Sequence, residues 1–446
     1  MKSYVPNTEK ERQEMLESIG MTSMDDLFTD IPKDLRLGRP LNLPAPLSEI
    51  ELRDLLYDYV SMNEEGGPLF RGAGAYRHYI PSVIPQLVAR SEFYTAYTPY
   101  QAEMSQGMLQ SLFEYQTVIC NLTGLDAANA SVYDGATAAA EALLMLRDNK
   151  RKKKVLYAAS LAPDVKTVMH TYAHCAGLEL VEIPMTENGT ADIDAITANM
   201  DGAAGYIGAN PNYYGNIEPM QAIADAVHAK AGLLVAYVNP ITLGVLKRPA
   251  DYGADIAIGD GRPLGLPLAF GGPYVGFMAA TKKLMRNLPG RIAGETRDAE
   301  GNRVFVLTLQ AREQHIRREM ASSNICSNQM LCAIMASMYC CVMGPAGMRE
   351  VAEQNINKAH CLASKLCAID GVKLRFPNTP FFNEFVIDVP DAEEINTALA
   401  DYSVTGGLVL SDGGMLWCAT EMNNIDDIDF VCEIVRNTLE SKGGEE

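Results

Sequence analysis

The chain has 446 residues, 48% of them hydrophobic, enough to bury a large core and to divide into two or three domains. A formal charge of -19 sets it against nucleic acid and anionic membrane surfaces, so neither is an expected partner. Ten cysteines lie scattered without a CxxC pair, which argues against a structural zinc site and for reduced, buried thiols.

The first twelve residues are polar and charged, unlike a secretory signal, and no apolar run reads as long enough to span a bilayer, so the expected location is cytoplasmic. Residues 1–46 alternate charged and apolar positions around MTSMDDLFTDIP before the proline-rich LRLGRPLNLPAP, an arm expected to lie over another surface. Ser48 and Glu51 form a capping box that opens a helix through Val60, with Leu52, Leu55, Leu56 and Tyr59 at helical spacing. Gly66-Gly67-Pro68 breaks it. RGAGAYRHYIP has Gly72 and Gly74 but neither a third glycine nor a preceding strand, so it reads as a turn and not as a dinucleotide motif.

A long helix is predicted over 101–122 and a second over 135–148. The basic run Lys150 to Lys154 suits the end of that helix, with docking of an acidic carrier as the alternative. Short apolar runs then alternate with helices near 163–176 and 217–231: VLYAAS, ELVEIPM, AAGYIGA, GLLVAYV and DIAIG. This is the pattern of a mostly parallel sheet covered on both faces. Beyond an apolar helix near 328–343, punctuated by Gly344-Pro345, come strands near 372–376 and 382–388, a helix from Ala392, a strand at MLWCAT and a last helix over 426–439. The reading is α/β, with an arm and helix at 1–80, a large parallel-sheet domain at 81–327 and a smaller α+β domain at 328–446.

The stretch YTAYTPYQAEMSQGMLQSLFEYQ, Tyr94 to Gln116, is the richest in residues suited to binding. Its tyrosines, Thr98, Gln101, Glu103, Ser105 and Gln106 fall before and within the first turns of the predicted helix, where free backbone N–H groups attract carboxylates. Core-filling tyrosines and a capped helix are the plain alternative. For AREQHIRRE, around His315, an exposed face laced by Arg312, Glu313, Arg317, Arg318 and Glu319 is favoured over a substrate clamp.

In pyridoxal phosphate enzymes of the aspartate aminotransferase fold, a strand ends in a polar turn that carries the Schiff-base lysine. The corresponding turn here is Gly259-Asp260-Gly261-Arg262-Pro263, and no lysine falls between Lys247 and Lys282. A guanidinium stays protonated and offers no free amine. At the helix start that would grip the cofactor phosphate, Asp134 places a carboxylate and only Thr137 resembles a ligand. Asn239 stands near the place of the acid that keeps the cofactor ring protonated. HExxH and GxSxG motifs are absent from the sequence.

Together MTSMDDLFTDIP, YTAYTPYQAEMSQGMLQSLFEYQTVICNLTG, NASVYDGATAAAEA, GDGRPLGLPLAFGGP, REQHIRRE and SSNICSNQ resemble the P-protein family of the glycine cleavage system in its two-chain form, over nearly the whole chain. The resemblance implies an aspartate aminotransferase-like fold (fold type I) and pairing with a homologous subunit 2 that holds pyridoxal phosphate, with no cofactor on this chain. It further implies glycine decarboxylation, transfer of the aminomethyl group to the lipoyl arm of the H-protein, and a heterotetramer with two copies of each subunit. Carried over by position, Tyr97, Thr98, Tyr100, Gln101, Glu103, Ser105, Gln106 and Gly107 would face the partner's active site. Met320 departs from the family resembled, in which lysine is usual at that position. A self-sufficient decarboxylase using Lys247 or Lys282, and a catalytically silent structural subunit, are the competing readings.

Overall fold

A computed structural model describes residues 7–63 and 66–443, in two compact units, 1–64 and 65–446. In the first, helices α1 (Glu9–Ser18) and α2 (Glu49–Ser61) each open on a capping box, Thr8 with Glu11 and Ser48 with Glu51. Each box satisfies two end N–H groups reciprocally, which lets short polar helices form without a core of their own. All of α2 is exposed, including Leu52, Leu55, Leu56 and Tyr59.

The second unit begins with α3 (Val83–Val88) and α4 (Gln106–Thr123), then β1 (Ala127–Ala128) and α5 (Gly135–Lys150). Strands and helices then alternate: β2 (Lys154–Ala158), α6 (Pro163–Ala176), β3 (Glu179–Ile183), α7 (Ile193–Asn199), β4 (Ala203–Asn210), α8 (Met220–Ala229) and β5 (Leu233–Val238). After β6 (Ile256–Asp260) the chain doubles back as β7 (Gly276–Ala280). These seven strands form one sheet in the order β1-β7-β6-β5-β4-β2-β3, with β7 antiparallel to its neighbours and the other pairings parallel. Strand β4 is buried along its whole length, as expected of a strand covered by helices on both faces.

A hairpin follows, β8 (Ile292–Arg297) with β9 (Arg303–Thr308), closed by a turn in which Asp298 accepts from the N–H groups of Glu300 and Asn302. The one-turn α9 (Gln314–Arg317) leads to α10 (Met330–Leu366). By length and composition α10 passes for a membrane span, where the sequence reading found no run long enough. It breaks at Gly344, whose φ is 59°, followed by Pro345. The arm before the break is about 21 Å long, short of the ~30 Å bilayer core. Ala333, Ile334, Ala336 and Tyr339 on that arm join the core of the seven-stranded sheet.

The remaining elements are β10 (Lys373–Leu374), β11 (Glu384–Asp388), α11 (Ala392–Ala400), β12 (Leu408–Val409), β13 (Gly414–Cys418) and α12 (Ile425–Gly443). The four strands make an antiparallel sheet, β10-β11-β13-β12, over a second core around Trp417, Phe385, Phe70 and Leu366. Of the cysteines, Cys418 and Cys432 are buried but Cys175, Cys326 and Cys341 are exposed, so burial of all the thiols is corrected. In the basic run, Lys152 and Lys154 donate to the carbonyls of Ala203 and Asn199 at 2.8 and 2.7 Å, which ties their charges to the amino end of β4 and the end of α7.

Candidate functional site

Two polar regions stand out, both placed by the large sheet. The first is a cavity of about 290 Å³ at the carboxyl ends of β4, β5 and β6, the usual ligand position of an open α/β sheet. Ala209, Tyr237, Asn239 and Asp260 come from the strand ends, and Asp134 and Tyr76 from adjoining loops.

The groups around it are largely committed within the chain. Asp134 caps α5 and accepts from the Thr137 N–H at 2.7 Å, so a helix start that would otherwise hold an anion is already satisfied by a carboxylate. Thr137 lies a turn further in, buried, and is not part of the cavity wall. Asn239 turns its Oδ1 to the Ile241 N–H at 3.1 Å and caps the turn after β5. Gly135 has no room for a side chain, since a Cβ there would overlap the Tyr237 hydroxyl and lie 2.9 Å from the Asp260 N–H nitrogen.

Arg262 follows β6 and is fully buried. Its Nη1 donates to the Tyr76 carbonyl, and its guanidinium lies 5.5 Å from the centre of the Tyr274 ring. Burial lowers its pKa, offset by the charge of Asp260. Burial likewise pushes the Asp260 carboxyl up to about 6, against the pull of the Arg262 N–H and guanidinium. The Tyr76 hydroxyl donates to Glu384 at 2.6 Å, and burial pushes that carboxyl up to about 7.

Pyridoxal phosphate does not fit these residues. Among the described residues no lysine lines the cavity, and Lys247 and Lys282 are both exposed away from it. A carboxylate occupies the helix start, and the residue after β5 is a neutral amide engaged in a cap.

The second region is the segment before α4. The sequence expectation started that helix at residue 101; the structure places a short turn at Ala102–Met104 and begins α4 at Gln106. The side chain of Gln106 sets this start. Its Nε2 donates to the carbonyl of Phe305 on β9, and its Oε1 accepts from the Phe305 N–H, both at 2.8 Å. Three turns on, Gln116 repeats the arrangement with Ala293 on β8, at 2.9 Å for both bonds. Two glutamines of one helix thus pair with hairpin backbone as a strand would, which holds α4 and the hairpin in register.

Tyr97 is 87% exposed and Tyr100 54%; Gln101, Glu103 and Gly107 are exposed and Thr98 is partly so. Ser105 is buried, and Gln106 is engaged behind the surface as described. Of the eight candidate residues, six are therefore accessible and two anchor the segment. None of the eight lines the cavity, whose wall includes Asp134 and Asn239 but neither Thr137 nor Arg262.

Beneath Tyr100 lies a group that the sequence reading missed. Arg291 Nη2 donates to the Tyr100 hydroxyl at 2.7 Å, and Glu313 sits 3.9 Å from Arg291 and 3.6 Å from His315. Glu313 is buried and Arg312 largely so, which corrects the expectation of one exposed charged helix. Backbone geometry is the reason: the segment is a string of short turns broken at Leu309 and Arg318, both at φ 54°, so Glu313 faces inward while Arg317, Arg318 and Glu319 stay exposed. Burial raises the Glu313 pKa, offset first by Arg291. Met320, the departure noted in the sequence, is exposed.

The model of the glycine cleavage system P-protein family matches residues 2–434. The chain is 48% identical over 441 residues to a probable glycine dehydrogenase (decarboxylating) subunit 1 of Carboxydothermus hydrogenoformans, covering 97% of this chain and 99% of that one. Among solved structures it is similar to glycine decarboxylase (P-protein) of the glycine cleavage system in inhibitor-bound form, with TM-score 0.90, 41% identity, and coverage of 98% of this chain and 100% of the other. A sphingosine-1-phosphate lyase of Burkholderia pseudomallei aligns with TM-score 0.67 at 14% identity, over 92% of this chain and 94% of that one, a likeness of fold alone. The architecture is that of the pyridoxal phosphate-dependent enzymes of fold type I, with a large, mostly parallel sheet.

Proposed function

The chain belongs to the glycine cleavage system P-protein family, and from that premise we propose that it is the first subunit of a two-chain glycine decarboxylase whose reactive centre lies on a homologous, lysine-bearing subunit 2. The observation that carries this reading is Arg262: the turn that holds the reactive amine in this fold holds here a buried guanidinium bonded to the Tyr76 carbonyl. A site built that way offers no free amine to an aldehyde, and the Asp134 carboxylate already occupies the helix start that would take a phosphate, while the fold around it is intact.

Pyridoxal phosphate on subunit 2 supplies the electron sink for loss of carbon dioxide from glycine, and the lipoyl arm of the H-protein accepts the aminomethyl group. This chain closes the partner's site. Tyr97, Thr98, Tyr100, Gln101, Glu103 and Gly107 form the accessible wall, and Tyr100 offers its hydroxyl to the glycine carboxylate. Gln106 holds that wall against the hairpin, and Ser105 is buried beside it. Excluding water and orienting glycine are its contributions to rate. The assembly is a heterotetramer, two copies of each subunit, working in the cytoplasm.

Co-expression with a lysine-bearing homologue tests the reading. Exchange of the glycine carboxyl with bicarbonate, in the presence of H-protein, is expected only when both chains are present. Tyr100→Phe in the assembled enzyme is expected to raise the apparent KM for glycine about tenfold, the worth of one hydrogen bond to a charged group. Full exchange activity from either chain alone refutes the division of labour.

A further inference from the structure

The wall just described rests on an arginine whose bonding is unusual for a structural residue. Arg291 is 1% exposed, yet the one hydrogen bond its guanidinium makes among the described residues goes to Tyr100, a side chain more than half exposed. Nε and Nη1 have no hydrogen-bond acceptor among the described residues. Its neighbour Arg312 shows what a loop-stabilising arginine does here: Nη1 and Nη2 donate to the carbonyls of Leu288 and Gly290. Arg291 leaves such carbonyls aside. Burying a cation with two N–H groups unbonded is costly, and the fold tolerates it beside the buried carboxylate of Glu313, 3.9 Å away.

The consequence falls on Tyr100. Its ring packs against the Arg291 guanidinium, 5.1 Å from centroid to Cζ, and meets the His315 ring edge-on at 5.9 Å. Held on two sides, the ring loses rotational freedom. Because the hydroxyl oxygen accepts from Arg291 at 2.7 Å, its own hydrogen must point elsewhere, and the cation behind the oxygen strengthens it as a donor.

We propose that Arg291, balanced by Glu313, is a positioning residue that fixes the Tyr100 hydroxyl as an outward donor to a carboxylate, the anionic end of a small amino acid bound in the partner's site. This deepens the proposed function and rests on it. Arg291 does not touch the substrate; it acts through Tyr100.

The test uses the assembled two-chain enzyme, with glycine-bicarbonate exchange read as KM and kcat separately. Tyr100→Phe and Arg291→Lys are each expected to raise the glycine KM about tenfold while kcat changes less than about threefold, one charge-assisted hydrogen bond being lost in each. The double variant is expected to be no worse than the poorer single, because both remove the same bond. Should Arg291→Lys fail to assemble, as judged by size-exclusion chromatography, Glu313→Gln takes its place: it is expected to raise KM in the native background and to add nothing when Tyr100 is Phe. A Tyr100→Phe variant with raised KM beside an Arg291→Lys variant with native KM, or effects that multiply in the double variant, overturns the inference and leaves the proposed function standing. A native KM in Tyr100→Phe itself overturns the role of the wall, and the inference with it.

Discussion

The cavity at the strand ends and the segment before α4 are built from similar material, tyrosines with carboxylates and amides at the border of the same sheet, yet they use it in opposite ways. In the cavity the polar groups turn inward: Asp134 caps a helix, Asn239 caps a turn, Arg262 holds the Tyr76 carbonyl and Tyr76 in turn holds Glu384. Before α4 the bonds that fix the backbone come from behind, through Gln106 and Gln116, and Tyr97 and Tyr100 are left accessible. A side chain is available for chemistry when something else holds its backbone in place. Where it is itself the support, substitution shows up as stability.

The sharpest test of that contrast is Gly135→Val. A branched side chain there meets the Tyr237 hydroxyl and the backbone of β6, and the variant is expected to lose about 3 kcal/mol in urea unfolding. Native stability would mean that the cavity wall is soft and the contrast false. Glu384 gives an effect that depends on pH. Its folded pKa of about 7 lies above the ordinary 4.5, so the stability it contributes is fully present below 4.5 and is lost as pH rises through 7. Ionising it costs up to about 3 kcal/mol. Glu384→Gln is therefore expected to melt higher than the native chain at pH 8, with the gain vanishing toward pH 4; a gain independent of pH would refute burial of the charge as its cause.

Arg262→Lys restores the missing amine without the rest of the site. It is expected to cost about 1–2 kcal/mol through the lost bond to Tyr76, and to show no new visible absorbance band when pyridoxal phosphate is added. A band would mean that Asp134 and Asn239 do not close the site. The smallest effect is expected at the exposed segment: Tyr97→Ser should change the unfolding free energy of the chain by less than about 0.5 kcal/mol. Titration of the variant with subunit 2 should nonetheless show weaker association, since exposed aromatics are typical interface anchors.

Local chemistry made much of this fold legible. The capping box at Ser48 and Glu51, the five strands and two longer helices over 154–260 and the break at Gly344-Pro345 all rest on neighbours within a few residues and match the reading; the short α7 between β3 and β4 does not figure in it. The hairpin β8–β9 is not legible in the sequence, because RIAGETRDAEGNRVFVLTLQ lacks a strict apolar alternation and its supports, Gln106 and Gln116, lie far away in the chain. The start of α4 lies five residues beyond the expected one for the same reason. Glu313 reads as exposed because its neighbours are charged, and a helical wheel has no means of showing a chain of short turns.

The sequence by itself determined what this chain lacks at the strand ends, since the absence of an amine at position 262 and of an acid at 239 is a matter of residue type that no packing alters. Only the tertiary structure decided what the retained groups do. Arg291 with Tyr100, Gln106 with Phe305, and Tyr76 with Glu384 are each separated by 191 residues or more, and hydrogen bonds depend on angles and distances that no local pattern encodes.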